Sequence, residues 1–171
     1  MKRAICLILI SVLLLSGCSA TTSRSDNTVE FFYLRSFQTQ EDYQAYFAEG
    51  AIVPEKRDVS GHRDDLYYLL SMYLRGPLDS HLESPFPSGC TLTDVYRDGS
   101  TMTVRLSSGA SLMDDLDLTV ASGCLAKTCM ALADVDTVHI QSLSITNEIL
   151  FSITVTSDNL LLEVTQPEET Q

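Results

Sequence analysis

Between Leu66 and Ser107 the chain reads LYYLLSMYLRGPLDSHLESPFPSGCTLTDVYRDGSTMTVRLS, and this stretch leaves few ways to fold. Leu66, Leu69, Leu70, Tyr73 and Leu74 recur at helical spacing, so a helix here turns one apolar stripe to a core and leaves Asp64, Asp65, Ser71 and Arg75 to water. Gly76 and Pro77 stop it, because glycine suits the left-handed residue after a helix and proline cannot continue the ladder. Pro85, Pro87 and Gly89 make a stiff polar crossing. Beyond it, Thr91 to Arg97 and Thr101 to Ser107 alternate as strands about a turn at Asp98-Gly99.

The flanks supply the rest of a sheet. Val29 to Leu34 is apolar and aromatic nearly throughout, which predicts a strand buried on both faces or central in its sheet. Gln38 to Gly50 is polar apart from Tyr43, Tyr46 and Phe47, enough for a short surface helix or a loop with three anchoring rings. Ala51 to Val59 is a second strand, which Pro54 places at an edge, and antiparallel pairing with the first is the simplest closure. Leu118, Ala121, Leu125, Cys129 and Leu132 form one stripe of a helix over Asp114 to Leu132, with Asp114, Asp115 and Asp117 at its positive end. Gly123 inside it implies close backbone contact. Asp136 to Ser142 alternates as a strand, and Glu148 to Thr156 with Leu160 to Thr165 make a hairpin about Ser157-Asp158-Asn159.

Helix, rigid loop, hairpin, helix and strand in this order resemble the GerMN domain, named for a spore-germination and sporulation protein of endospore-forming bacteria. The resemblance rests on Tyr73-Leu74-Arg75-Gly76-Pro77, on Leu82 to Leu92, on Asp98-Gly99 followed by Val104-Arg105-Leu106-Ser107, on Leu125-Ala126-Lys127-Thr128 and on Val135-Asp136-Thr137-Val138-His139-Ile140. Cys90-Thr91 stands where the family pattern has threonine directly after Pro-x-Gly, and one copy is present where the named protein has two in tandem. The resemblance implies a small α+β domain over residues 29–143, a mixed β-sheet with two main helices packed on one face, like the ring-building modules of secretion and sporulation channels. The C-terminal hairpin, residues 144–166, is an addition, followed by an acidic polar tail, 167–171.

The amino terminus gives an address. Lys2-Arg3 followed by the apolar run Ala4 to Leu15 is too short for the roughly 20 residues of a membrane span and reads as an export signal, residues 1–17. Leu15-Ser16-Gly17-Cys18 resembles a bacterial lipobox, which implies cleavage before Cys18 and attachment of diacylglycerol to its sulfur. The rival reading, an ordinary signal cleaved nearby with Cys18 incidental, requires the same small residues at 16 and 17. Residues 18–28 are then a spacer, and the protein sits on the extracytoplasmic face of a membrane. The 171-residue chain carries a formal charge of −12, and losing Lys2 and Arg3 leaves 9 basic against 23 acidic residues. Phosphate backbones repel such a surface, so nucleic acid is not an expected partner.

Little in the sequence promises chemistry. Cys90, Cys124 and Cys129 remain after export, an odd number; Cys90 can bridge to one of the others, or all three are small buried hydrophobes. There is no CxxC, and His62, His81 and His139 lack metal-site spacing. Ser107-Ser108-Gly109 lacks a nucleophile-elbow context, and the aspartates at 114, 115 and 117 are explained by a helix start. No catalytic residue, metal or cofactor is therefore expected. The expected role, which the resemblance draws toward sporulation or germination, is a non-catalytic, lipid-anchored envelope protein that helps assemble a protein complex. Sheet edges and the loop holding Pro85, Phe86 and Pro87 would make the contacts. The alternative is a lipoprotein binding a small ligand or cell-wall fragment, with a polar pocket between helices and sheet.

Overall fold

The computed structural model describes residues 27–42, 44 and 50–160. The export signal, Cys18, the rings Tyr43, Tyr46 and Phe47, and the hairpin arm and tail from residue 161 onward lie outside the described residues.

Among the described residues, which include a helical stretch at 40–42, seven strands and two longer α-helices follow in the order β1 (Thr28–Arg35), β2 (Ile52–Asp58), α1 (Leu66–Leu74), β3 (Leu82–Glu83), β4 (Leu92–Asp98), β5 (Thr101–Leu106), α2 (Asp115–Leu132), β6 (Thr137–Leu143) and β7 (Ile149–Thr156). Asp65 caps α1 by accepting from the Tyr68 amide, and Asp114 caps α2 by accepting from the Asp117 amide. Each cap answers one of the unpaired donors at a helix start. Gly76 closes α1 at φ +95°, where a side chain would be strained.

The α+β class stands, but the strands divide into two sheets rather than one. β1 lies centrally in an antiparallel sheet ordered β2-β1-β3, and the second sheet is ordered β4-β5-β6-β7. In the second, β5 and β6 run parallel, joined through α2, while β4 and β7 are antiparallel to their neighbours. The helices do not share one face of one sheet: α2 touches β1 of the first sheet and β6 and β7 of the second. Its sequence permits this. Ala121, Ser122, Gly123, Cys124 and Ala126 are small, and every residue from Ala121 to Ala126 is buried, so the helix is enclosed on more than the one stripe its spacing suggests. β7 pairs with β6, which makes the C-terminal hairpin one of these two strands about Ser144–Glu148.

The interior joins both sheets and both helices. Phe31, Tyr33, Leu69, Leu70, Met102, Val104, Leu106, Leu125, Val138 and Ile140 are all fully enclosed. Tyr33 and Tyr73 stack with centroids 4.9 Å apart, and Phe31 meets Tyr33 edge-on at 6.4 Å. Pro54 faces Phe32, and because proline has no N–H this is a pair that does not hydrogen-bond across the ladder. The Phe32 backbone therefore points away from β2, toward an edge that β3 is too short to cover. Two side chains take it up: the Phe32 N–H donates to Thr128 Oγ1 at 3.0 Å, and the Tyr73 hydroxyl donates to the Phe32 carbonyl at 3.2 Å.

The crossing before β4 is not the exposed loop the prolines suggest. Pro85 is buried and Phe86 is 4% exposed, part of the core, while Pro87, Ser88 and Gly89 face solvent. Ser84 Oγ donates to the Phe86 carbonyl at 3.0 Å and accepts from its N–H at 3.3 Å, which fixes the ring inward. Leu82 and Leu92 are buried at the two ends of the crossing, and Phe86 between them belongs to the same hydrophobic cluster.

Candidate interaction surface

The second sheet shows one face to α2 and the other to solvent. On the solvent side, register aligns two rows of side chains across all four strands. One row is Asp94, Arg105, Gln141 and Ser152; the other is Tyr96, Thr103, His139 and Thr154. The rows follow from period-two alternation: Met102, Val104 and Leu106 point to the core, so Thr103 and Arg105 point out.

Arg105 organises this face. Its Nη1 lies 3.4 Å from Asp94 Oδ2, its Nε 3.3 Å from Gln141 Oε1, and its Nη2 3.4 Å from the Tyr96 hydroxyl. The guanidinium also lies over the Tyr96 ring at 5.2 Å. These contacts are long, and the Arg105 side chain is 36% exposed, so a partner can compete for its donors. His139 Nδ1 meets Thr154 Oγ1 at 2.8 Å in the other row. Next to Arg105, a recess of about 530 Å³ is lined by Asp94, Gln141, Leu143, Asn147 and Ile149 together with Thr93. Asn147 stands at φ +63° in the turn between β6 and β7, a conformation asparagine tolerates better than most residues.

Such a face offers hydrogen-bonding groups, a planar cation and an aromatic ring. The thiols are not available to add chemistry: Cys90, Cys124 and Cys129 are buried and free. Burial pushes the Cys90 thiol up to about 11 and the Cys124 thiol up to about 12, and it raises Cys129 as well. Among the described residues, no group of three or more His, Cys, Asp or Glu is placed to hold a metal ion.

The positions singled out in the sequence separate in space. Cys18 lies outside the described residues, and of the three loop positions Pro85 and Phe86 are buried while Pro87 reaches solvent. Arg105 and His139 stood in the sequence as members of the motifs that carry the family resemblance and Gln141 as a polar member of an alternating run, and none of the three was singled out as a contact residue.

The profile of the Germane family, described as Sporulation and spore germination, matches residues 39–142. The chain belongs to this family. The match takes in α1, β4, β5 and α2 and ends inside β6, leaving β1 and β7 outside it. Among solved structures, the fold is similar to the tandem GerMN domains of the sporulation protein GerM from Bacillus subtilis, at a TM-score of 0.52 and 13% identity. That similarity covers 75% of this chain and 44% of the other, so this chain spans less than half of it. No curated protein matches the chain. The family ties the domain to sporulation and germination, and the structural similarity supports the fold. No helix among the described residues is long and apolar enough to cross a membrane.

Proposed function

We propose that this is a non-catalytic, lipid-anchored envelope protein that docks another protein during sporulation or germination, using the open face of the four-stranded sheet. Family membership over residues 39–142 carries the reading. The rows about Arg105 and Tyr96 support a contact surface, since aromatic and arginine side chains are enriched where proteins meet. Lipid on Cys18 would hold the domain at the membrane, and more than one acyl chain is needed for a lasting anchor.

Capture from detergent-solubilised sporulating cells tests the docking. An envelope protein retained by the natural chain and lost with Arg105→Glu is the expected result; identical partners with both would refute it. Cys18→Ala is expected to release the protein from the membrane fraction, and unchanged fractionation would remove the anchor from the proposal.

The recess beside Arg105 favours a second reading, a small polar ligand, since its volume lies within the roughly 300–1,000 Å³ usual for ligand sites. Thermal shift with cell-wall fragments separates the two, because a ligand raises the melting temperature by mass action.

A further inference from the structure

Three of the four outer strands in the two sheets are guarded against pairing with another chain. β2 carries Pro54, Lys56, Arg57 and Asp58; β3 is two residues long; β4 carries Asp94, Arg97 and Asp98 and is irregular between Leu92 and Asp94. Proline, charge, brevity and irregularity are the ordinary protections of an edge. β7, with the sequence ILFSITVT, is irregular only at its start, where Leu150 drops out of register between Ile149 and Phe151, and it carries neither proline nor charge over eight residues.

Hydrogen-bond phase tells which groups of β7 face outward. The Ser157 N–H donates to the Asp136 carbonyl at 2.9 Å. Alternation along the pairs Val138↔Val155, Ile140↔Ile153 and Ser142↔Phe151 then turns the backbones of Val155, Ile153 and Phe151 toward β6, and those of Ser152 and Thr154 away. Thr156 agrees with this phase, since its N–H is capped by Asn159 Oδ1 at 2.7 Å and closes the edge at that end. On the helix side of the same strand, a groove of about 220 Å³ runs between Thr119, Ser122 and Gly123 of α2 and Ile153 and Val155 of β7. Ser122 is 1% exposed, and its hydroxyl is the buried side-chain polar atom left without a hydrogen bond among the described residues.

We infer that the β7 edge and this groove receive an extended segment of a partner protein as a fifth strand. The segment is uncharged and alternates apolar with polar residues over about five positions, the usual length of a strand, with Lys or Arg on its flanks. Among the described residues no strand pairs with the outward N–H and C=O groups of Ser152 and Thr154, and groups of that kind call for one. Apolar side chains on its inner face cover Ile153 and Val155, and a small hydroxyl or amide there satisfies Ser122. Glu148 and Asp158 stand at the two ends of β7 in a chain of net charge −12, which calls for basic flanks. A second copy fits worse. Antiparallel pairing of two β7 edges that matches Ser152 with Thr154 brings Glu148 of each toward Asp158 of the other, and like charges opposed in a ladder are destabilising. The inference rests on the reading of this chain as an interaction protein and names what its partner presents.

The test titrates the full chain at low salt with fluorescent peptides sharing one Val/Thr-alternating core and carrying Lys, Ala or Glu flanks. Lys-flanked peptide is expected to bind tightest and to slow amide exchange at Ser152 and Thr154 by NMR. Thr154→Pro deletes an outward backbone donor while sparing the backbone ladder to β6, and it should weaken binding about tenfold relative to Thr154→Val, which loses the same side-chain contact with His139 but keeps the donor. Glu148→Lys combined with Asp158→Lys should invert the flank preference, and this keeps the test decisive if the proline variant misfolds. Absence of binding for every flank, or binding indifferent to both variants, overturns the inference. So does protection of those amides with no peptide present: in a dimer it assigns the edge to a second copy, and in a monomer to the arm Leu160 to Thr165 of the same chain. Binding abolished by Arg105→Glu but untouched by Thr154→Pro overturns the edge while leaving the interaction reading intact.

Discussion

The two sheets treat their polar groups in opposite ways. In the three-stranded sheet they are turned inward and satisfied by the chain itself. Arg57, with its side chain 6% exposed, lies 5.4 Å from the Phe31 ring centroid, bonds Glu55 Oε2 through Nε at 2.6 Å, and donates from Nη2 to the Gly76 carbonyl at 2.7 Å. The other oxygen of Glu55 accepts from the amides of Leu78 and Asp79 at 2.7 and 2.8 Å. The Arg-Gly-Pro end of α1 is thus held by an ion pair from β2. In the four-stranded sheet, Arg105 keeps loose contacts at 3.3 to 3.4 Å and half-open surroundings. A charge wired to its own backbone secures the fold, whereas one held loosely at the surface remains free to recognise something else.

The sharpest way to break this contrast is to remove a ring from each sheet. Tyr73→Ala deletes the stack with Tyr33 and leaves the Phe32 carbonyl unpaired, so it should cost about 3–5 kcal/mol in urea unfolding. Tyr96→Ala, on a ring 44% exposed, should stay within about 0.5 kcal/mol. Equal losses would show that the open face is part of the core after all.

Charge is the next test. Arg57→Met leaves the Glu55 carboxylate buried with only two amides for company, and breaking such a pair costs about 3 kcal/mol or more. A smaller loss would mean the two amides alone nearly satisfy it. Thr128→Val is milder. It keeps shape but strips the Phe32 N–H of its acceptor, worth about 1–3 kcal/mol, and it should speed exchange of that amide relative to its neighbours in β1. An unchanged exchange rate would mean that water already reaches that edge.

What could be read in the sequence was mostly local. α1, its stop at Gly76, the hairpin about Gly99 and the Asp114 start of α2 depend on neighbours within a turn or two, and pattern alone finds them. The division into two sheets depends on α2 being thin. Ala121-Ser122-Gly123-Cys124 carries almost no periodic signal, yet it is what lets the helix touch β1 on one side and β6 and β7 on the other. Phe86 misleads for a related reason: flanked by Pro85 and Pro87 it reads as a surface turn, and its burial follows from Leu82 and Leu92, which pattern reading assigns to different elements. The row through Arg105 could not be assembled at all, because Gln141 is 36 positions away and meets it only through the parallel register of β5 and β6. Conversely, Thr128, noticed only as part of a family motif, has a plain physical role as acceptor for the Phe32 N–H, and Gly76, read as a helix stop, also presents the carbonyl that Arg57 holds.

The smallest expected effect on stability carries the most information about the open sheet. Arg105→Ala removes contacts that are long, partly exposed and shared among Asp94, Gln141 and Tyr96, and surface pairs of that kind contribute about 0–1 kcal/mol. Urea midpoints of the natural chain and the variant should nearly coincide, with the small difference shrinking further as salt is raised. Against that flat background, loss of a captured partner isolates recognition from folding, because the same side chain is then shown to matter to a second protein and not to its own sheet. A clear drop in stability would reverse the assignment and make Arg105 the counterpart of Arg57, a strut between β4, β5 and β6 whose exposure is incidental.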